Sequence, residues 1–150
     1  MSWRLRMVGE AHAIAEVPEV VGKQRPRYSR KLGRPYTPSK TRVFEECVRK
    51  AWREQVGEGW AEFSGAVTVT VAMTRELAKS NPKKWAGRQD VQKPDADNVL
   101  KSCLDALNGL AYSDDAHITR ELAEKMPRTP HGSGNQISIH CIYYEEEFEK

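Results

Sequence analysis

Residues 66–73 read Ala-Val-Thr-Val-Thr-Val-Ala-Met, an unbroken alternation. Val67, Val69, Val71 and Met73 fall on one side and Thr68 and Thr70 on the other, the period of a half-buried β-strand. Such a strand must lay its apolar side against a second layer, so the rest of the chain has to supply partner strands and a cover. Two segments have the helical period. Thr37-Pro38 is a helix start, with threonine as N-cap and proline at the first helical position. Phe44, Cys47, Val48, Ala51, Trp52 and Val56 then share one face until Gly57 and Gly59 end the helix. Further on, Leu100, Cys103, Leu104 and Leu107 form an apolar stripe, with Gly109 as its C-terminal cap. Trp3 to Ala15 alternates loosely. Gln136 to Tyr144 alternates clearly, with Ile137, Ile139, Cys141 and Tyr143 on one side, and the acidic end beyond it reads as frayed. Residues 116–125 are ambiguous, because Glu121, Leu122, Ala123, Glu124 and Lys125 favour helix by propensity. The order predicts an α+β, two-layer domain over residues 1–150: a small mixed sheet with two main helices on one face.

Four carboxylates bracket the second helix. Asp95 and Asp97 open it, Asp114 and Asp115 follow it, and Lys101 is the one base between them. One aspartate is explained as an N-cap and another by the helix dipole, but not the pair beyond the C-terminus. Carboxylates brought together repel unless a cation lies among them. Hard oxygen donors with no histidine or cysteine cluster select Mg²⁺, with Mn²⁺ able to substitute, rather than zinc. A metal so held generates a hydroxide nucleophile and stabilises charge on a phosphorus under attack. Lys101, one turn after Asp97, either forms an ordinary i, i+4 ion pair or neutralises the scissile phosphate. Asp105, a further turn on, is at most a supporting residue.

Charge points to what the metal acts on. The net charge is only +3, yet residues 1–94 hold 19 Lys/Arg against 10 Asp/Glu, and residues 95–150 hold 5 against 11. A basic half beside an acidic cluster suits an enzyme that grips a polyanion and hydrolyses it. Lys23, Arg25, Arg27, Arg30, Lys31 and Arg34 interleave with Tyr28 and Tyr36 in a Pro- and Gly-punctuated arm, which offers phosphate contacts and stacking. A second aperiodic stretch, 74–94, carries Lys79, Lys83, Lys84 and Arg88, with Trp85 among them. Lys23, Arg25, Arg27, Arg30, Lys83, Lys84 and Arg88 are therefore the candidate contacts to a phosphate polymer, which the resemblance below makes DNA. The three cysteines, Cys47, Cys103 and Cys141, form no Cys-x-x-Cys pair and read as buried free thiols in a reducing, cytoplasmic setting. No apolar run is long enough to span a membrane. No phosphate loop, dinucleotide fingerprint, nucleophile elbow or zinc-protease motif is present.

Taken together, Lys93-Pro-Asp-Ala-Asp-Asn-Val-Leu-Lys101, Asp105-Ala-Leu-Asn-Gly-Leu110 and Ser113-Asp-Asp115 closely resemble the signature of the RusA family, endodeoxyribonucleases that resolve Holliday junctions. Gly22-Lys-Gln-Arg-Pro-Arg-Tyr28 and Tyr36-Thr-Pro-Ser-Lys-Thr41 are similar to that family's N-terminal region, so the resemblance spans most of the chain. It implies that Asp95, Asp97 and Asp115 are the catalytic, metal-binding carboxylates, Lys101 the catalytic lysine and Asp114 an accessory residue. It further implies Mg²⁺ as cofactor and a homodimer that nicks opposed strands of a four-way junction, in a bacterial cytoplasm or that of a phage's host. It also makes residues 116–125 a strand, against their propensity. Two positions depart from the pattern: Leu104 stands where an aromatic faces DNA, and Pro94 where a base precedes the first aspartate. Two other readings compete: a branched-DNA-binding protein that does not cut, and a metal enzyme acting on nucleotides.

Overall fold

The computed structural model describes residues 1–24, 27–36 and 38–150, with backbone alone for Arg27 and Tyr36. Two helices lie on one face of a four-stranded mixed sheet, as the sequence predicts. In chain order the elements are β1 (Ser2–Val17), β2 (Arg27–Ser29), β3 (Arg34–Tyr36), α1 (Ser39–Gln55), β4 (Ala66–Thr74), α2 (Ala96–Leu107), β5 (Ile118–Lys125) and β6 (Asn135–Glu149). The sheet order is β1-β6-β4-β5, antiparallel except for the parallel β4–β5 pair, while β2 and β3 form a separate two-stranded hairpin.

The covered face of the sheet carries the alternating apolar residues. Val67, Val69 and Val71 of β4 and Ile137, Ile139, Cys141 and Tyr143 of β6 are fully buried. On β1 the covered positions are the small Ala11, Ala13 and Ala15, which leave room for Phe44, Val48 and Trp52 of α1. Helix α2 buries Val99, Leu100, Cys103, Ala106 and Leu107, whereas Leu104 is half-buried at the edge of the core. Among the described residues no helix is long and apolar enough to cross a membrane. Burial lifts the Cys141 thiol to about 12 and the Cys103 thiol higher still, so neither is a reactive thiolate.

Three elements differ from the local reading. Helix α1 starts at Ser39, so Pro38 precedes the first helical residue instead of occupying it; Thr37, the expected N-cap, lies outside the described residues. Residues 118–125 are strand, as the family resemblance implies: β5 takes its hydrogen bonds from β4. The acidic end of the chain is not frayed. β6 runs to Glu149, paired along its length with β1 from Ser2 onward, and Arg4 and Arg6 bridge Glu145, Glu147 and Glu149. In this ribbon Trp3, Leu5 and Met7 are exposed; a bulge between Met7 and Gly9 divides them from the buried alanines.

Candidate active site

Asp95 sits at the N-cap of α2 in extended conformation, but its side chain makes no capping bond. The Lys93 ammonium holds it instead, at 2.9 and 3.1 Å from its two oxygens. The expected N-cap role therefore does not explain this carboxylate, which is already engaged by a cation. The partner was within reach of sequence reasoning, since Lys93 lies two residues upstream. Asp97 and Lys101 are exposed on the first and second turns of α2. Among the described residues neither has an ion-pair partner, so the ordinary i, i+4 bridge, one of the two roles open to Lys101, is absent. Asp105 turns instead to Lys23, at 2.9 Å.

The root of the basic arm is clamped against this end of α2. The Lys23 backbone N–H donates to the Asn98 carbonyl at 3.0 Å. Gly22 packs so closely that a Cβ there would lie 3.2 Å from Asn98 and 3.3 Å from Pro94. The Lys23 ammonium bridges Glu45 of α1 and Asp105 of α2, both at 2.9 Å. Burial works to lower its pKa, but hydrogen bonds to Asp105 and Glu45 outweigh that and hold it above the ordinary lysine value. Lys23, expected as a DNA contact, is thus engaged by two carboxylates of its own chain. Arg25 lies outside the described residues, as does the side chain of Arg27, while Arg30 is exposed. Lys83 and Lys84 are exposed on a 3-10 turn (Lys83–Trp85), and the Arg88 guanidinium stacks over the Trp85 ring at 5.1 Å.

The second basic stretch is tied down by a pair not anticipated from sequence. Arg75 grips Asp90 with two bonds of 2.7 and 2.6 Å, and the Asp90 side chain is fully buried. Lys125 at the end of β5 lies 3.6 Å from the same carboxylate and donates to the Gln92 carbonyl. Residues 90–92, just upstream of Asp95, are anchored in this way.

The other acidic pair is set by a different group of bonds. Tyr143 donates to the Ala111 carbonyl at 2.7 Å, Tyr112 to the Leu104 carbonyl at 2.8 Å, and the Ser113 N–H to the Phe63 carbonyl at 3.0 Å. The Asp115 N–H donates to Asn108 Oδ1, at the C-terminal end of α2, at 3.1 Å. The Asp114 and Asp115 side chains are exposed and have no ion-pair partner among the described residues.

The helix therefore separates the two acidic groups. Twelve residues at 1.5 Å each put the ends of α2 about 18 Å apart. β5 repeats the span, starting beside Asp115 and ending with Lys125 at Gln92. Oxygens ligating one Mg²⁺ each lie about 2.1 Å from it, so one ion does not join Asp95 or Asp97 to Asp115 of the same chain. Consistently, no three His, Cys, Asp or Glu side chains among the described residues gather closely enough to hold a metal. As donors the carboxylates still fit a hard divalent ion: they are exposed, oxygen-only and, apart from Asp95, uncommitted.

A family model described as Endodeoxyribonuclease RusA matches residues 18–139. The chain belongs to the RusA endodeoxyribonuclease family. The match takes in the basic arm, both helices and both acidic pairs, and RusA proteins are nucleases that resolve Holliday junctions. A Bacillus subtilis (strain 168) relative, "Uncharacterized protein YqaN", is 32% identical over 110 residues, which cover 67% of this chain and 76% of the relative.

Proposed function

We propose that this RusA-family protein is a Holliday-junction resolvase: a Mg²⁺-dependent endodeoxyribonuclease that makes paired, symmetric nicks in four-way DNA during recombination and repair. Asp95, Asp97 and Asp115 hold the metal, with Asp114 accessory. A divalent ion held by these carboxylates would supply an activated water and stabilisation of charge on the phosphodiester. Lys101, one turn from Asp97 and without an ion-pair partner among the described residues, neutralises the scissile phosphate. Arg30, Lys83, Lys84 and Arg88 track the backbone, which makes binding fall steeply with salt.

The observation that carries this reading is the separation of the two acidic groups by α2. Each chain offers half a metal site at either end of one helix, and a homodimer completes two sites by matching the Asp95–Asp97 end of one copy with the Asp115 end of the other. Two such sites answer to the two opposed strands of a junction. The Lys93 ammonium on Asp95 supports the same reading, because it occupies the place a cation takes beside that carboxylate.

The test is cleavage of a synthetic four-way junction and a matched linear duplex, with Mg²⁺ or with chelator. Paired nicks confined to the junction and dependent on metal are expected. Asp97→Asn should cut at least about a thousandfold more slowly while binding the junction as well as, or better than, wild type. Junction binding without cleavage under Mg²⁺ or Mn²⁺ would favour the non-cutting DNA-binding protein, and near wild-type cleavage by Asp97→Asn would refute the metal assignment.

A further inference from the structure

The β2–β3 hairpin forms its own two-stranded sheet apart from the main one, and its residues from Arg30 to Pro35 are all exposed. Its tip is nevertheless closed and defined. The Gly33 N–H donates to the Ser29 carbonyl at 2.8 Å and the Leu32 N–H to Ser29 Oγ at 3.1 Å. Gly33 takes φ +67°, the left-handed conformation that glycine adopts without strain. This closed turn presents Leu32, 57% exposed, at the end of the hairpin; Tyr28, 66% exposed, lies opposite Pro35 on the strands below. Arg30, Lys31 and Arg34 flank them, and the segment 22–36 contains no acidic residue.

A leucine at a preformed tip ringed by cations, with an exposed tyrosine behind it, has the chemistry of a wedge for nucleic acid. Apolar side chains enter between bases where stacking is already broken, aromatic rings stack on the bases displaced, and cations hold the phosphates alongside. A duplex interior charges the full unstacking penalty to such a wedge; a branch point, where strands exchange and stacking is interrupted, charges less. We propose that the tip of the β2–β3 hairpin is a branch-point wedge: Leu32 inserts at the crossover of branched DNA, Tyr28 stacks on an unpaired base, and Arg30, Lys31 and Arg34 fix the neighbouring phosphates. The inference rests on the junction reading above and adds to it the element that recognises the branch. The wedge is separate from the carboxylates that cut.

Fluorescence of 2-aminopurine at the crossover tests it, with the full chain, a four-way junction and Ca²⁺ in place of Mg²⁺ to hold off cleavage. Wild-type binding should raise the signal severalfold as the base unstacks. The Leu32→Ala/Tyr28→Ala variant should lose most of that rise while its junction affinity stays within about tenfold, since lost insertion and avoided unstacking oppose each other. Leu32→Trp should bind with quenching of the new indole on junction and not on linear duplex. The same rise from wild type and double variant, or wild-type binding with no rise, overturns the wedge and leaves the nuclease reading standing. Failure of wild type to bind the junction at all removes the nuclease reading too. Leu32-dependent sedimentation with phosphatidylserine vesicles, with no effect on DNA, would assign the tip to a membrane surface instead.

Discussion

Asp90 anchors the segment that leads into the acidic cluster. Burial alone would raise its pKa, but the bidentate Arg75 guanidinium and the Lys125 ammonium overcome that and hold the carboxyl below the usual aspartate value. A depressed folded-state pKa stabilises the protein fully above the unfolded value, about 3.9 for aspartate, and that contribution is lost as pH falls through the lower folded value. Asp90→Asn should therefore destabilise the protein by about 3 kcal/mol at pH 7, because it leaves the Arg75 charge largely buried. Urea denaturation should show the gap between wild type and variant closing below about pH 4. Lys101 belongs to the opposite kind: it is exposed and, among the described residues, has no ion-pair partner. Lys101→Ala should slow junction cleavage by about a hundredfold or more, with the melting temperature and the calorimetric Mg²⁺ affinity unchanged. Loss of Mg²⁺ affinity would make the lysine a support for the carboxylates instead.

At the scale of elements, the sheet was legible where burial alternates and illegible where pairing is remote. The valines of β4 announce the strand because one face is fully buried and the other is not. β5 lacks that contrast; it is an edge strand, exposed along most of its length, and only its hydrogen bonds to β4 decide it. The Glu145–Glu149 end reads as a tail until Arg4 and Arg6, more than 130 residues away, are set beside it. The acidic residues stand out because their spacing around α2 is local, but the expectation of a single cluster overlooked the roughly 18 Å that the twelve-residue helix puts between its ends. The ion pairs of Lys23 were not legible locally, because Glu45 and Asp105 lie on other elements. The bulge in β1 supplies a prediction at this scale. Gly9 lies under the Trp60 indole, where an added Cβ would come within 2.5 and 2.6 Å of ring atoms. Trp60 in turn stacks flat on Tyr143 at 3.8 Å, and Tyr143 holds the Ala111 carbonyl upstream of Asp115. Gly9→Ala should displace the indole and destabilise by about 2 kcal/mol, read as a lower urea midpoint with unchanged slope. Gly59→Ala, with open space around the position, should change neither.

At the scale of the whole molecule, the decisive quantity is the distance that α2 keeps between Asp97 and Asp115. If each active site takes Asp97 from one copy and Asp115 from the other, two inactive variants can repair each other. In a mixed dimer of Asp97→Asn and Asp115→Asn, one site receives both substitutions and is dead. The second site receives both native aspartates and is whole. If instead each chain built its site alone, every site in the mixture would carry one substitution and none would cut. Random exchange makes half the dimers mixed, each with one intact site of two, so equal parts of the variants should recover about a quarter of wild-type nicking. The products discriminate further. A mixed dimer nicks one strand of the junction and leaves the opposed strand whole, so denaturing gels should show single nicks where wild type gives ligatable paired cuts. Activity that stays at the level of either variant alone, with exchange of subunits verified by a tagged copy, would place each metal site within one chain and require Asp115 to move toward Asp97 on binding DNA.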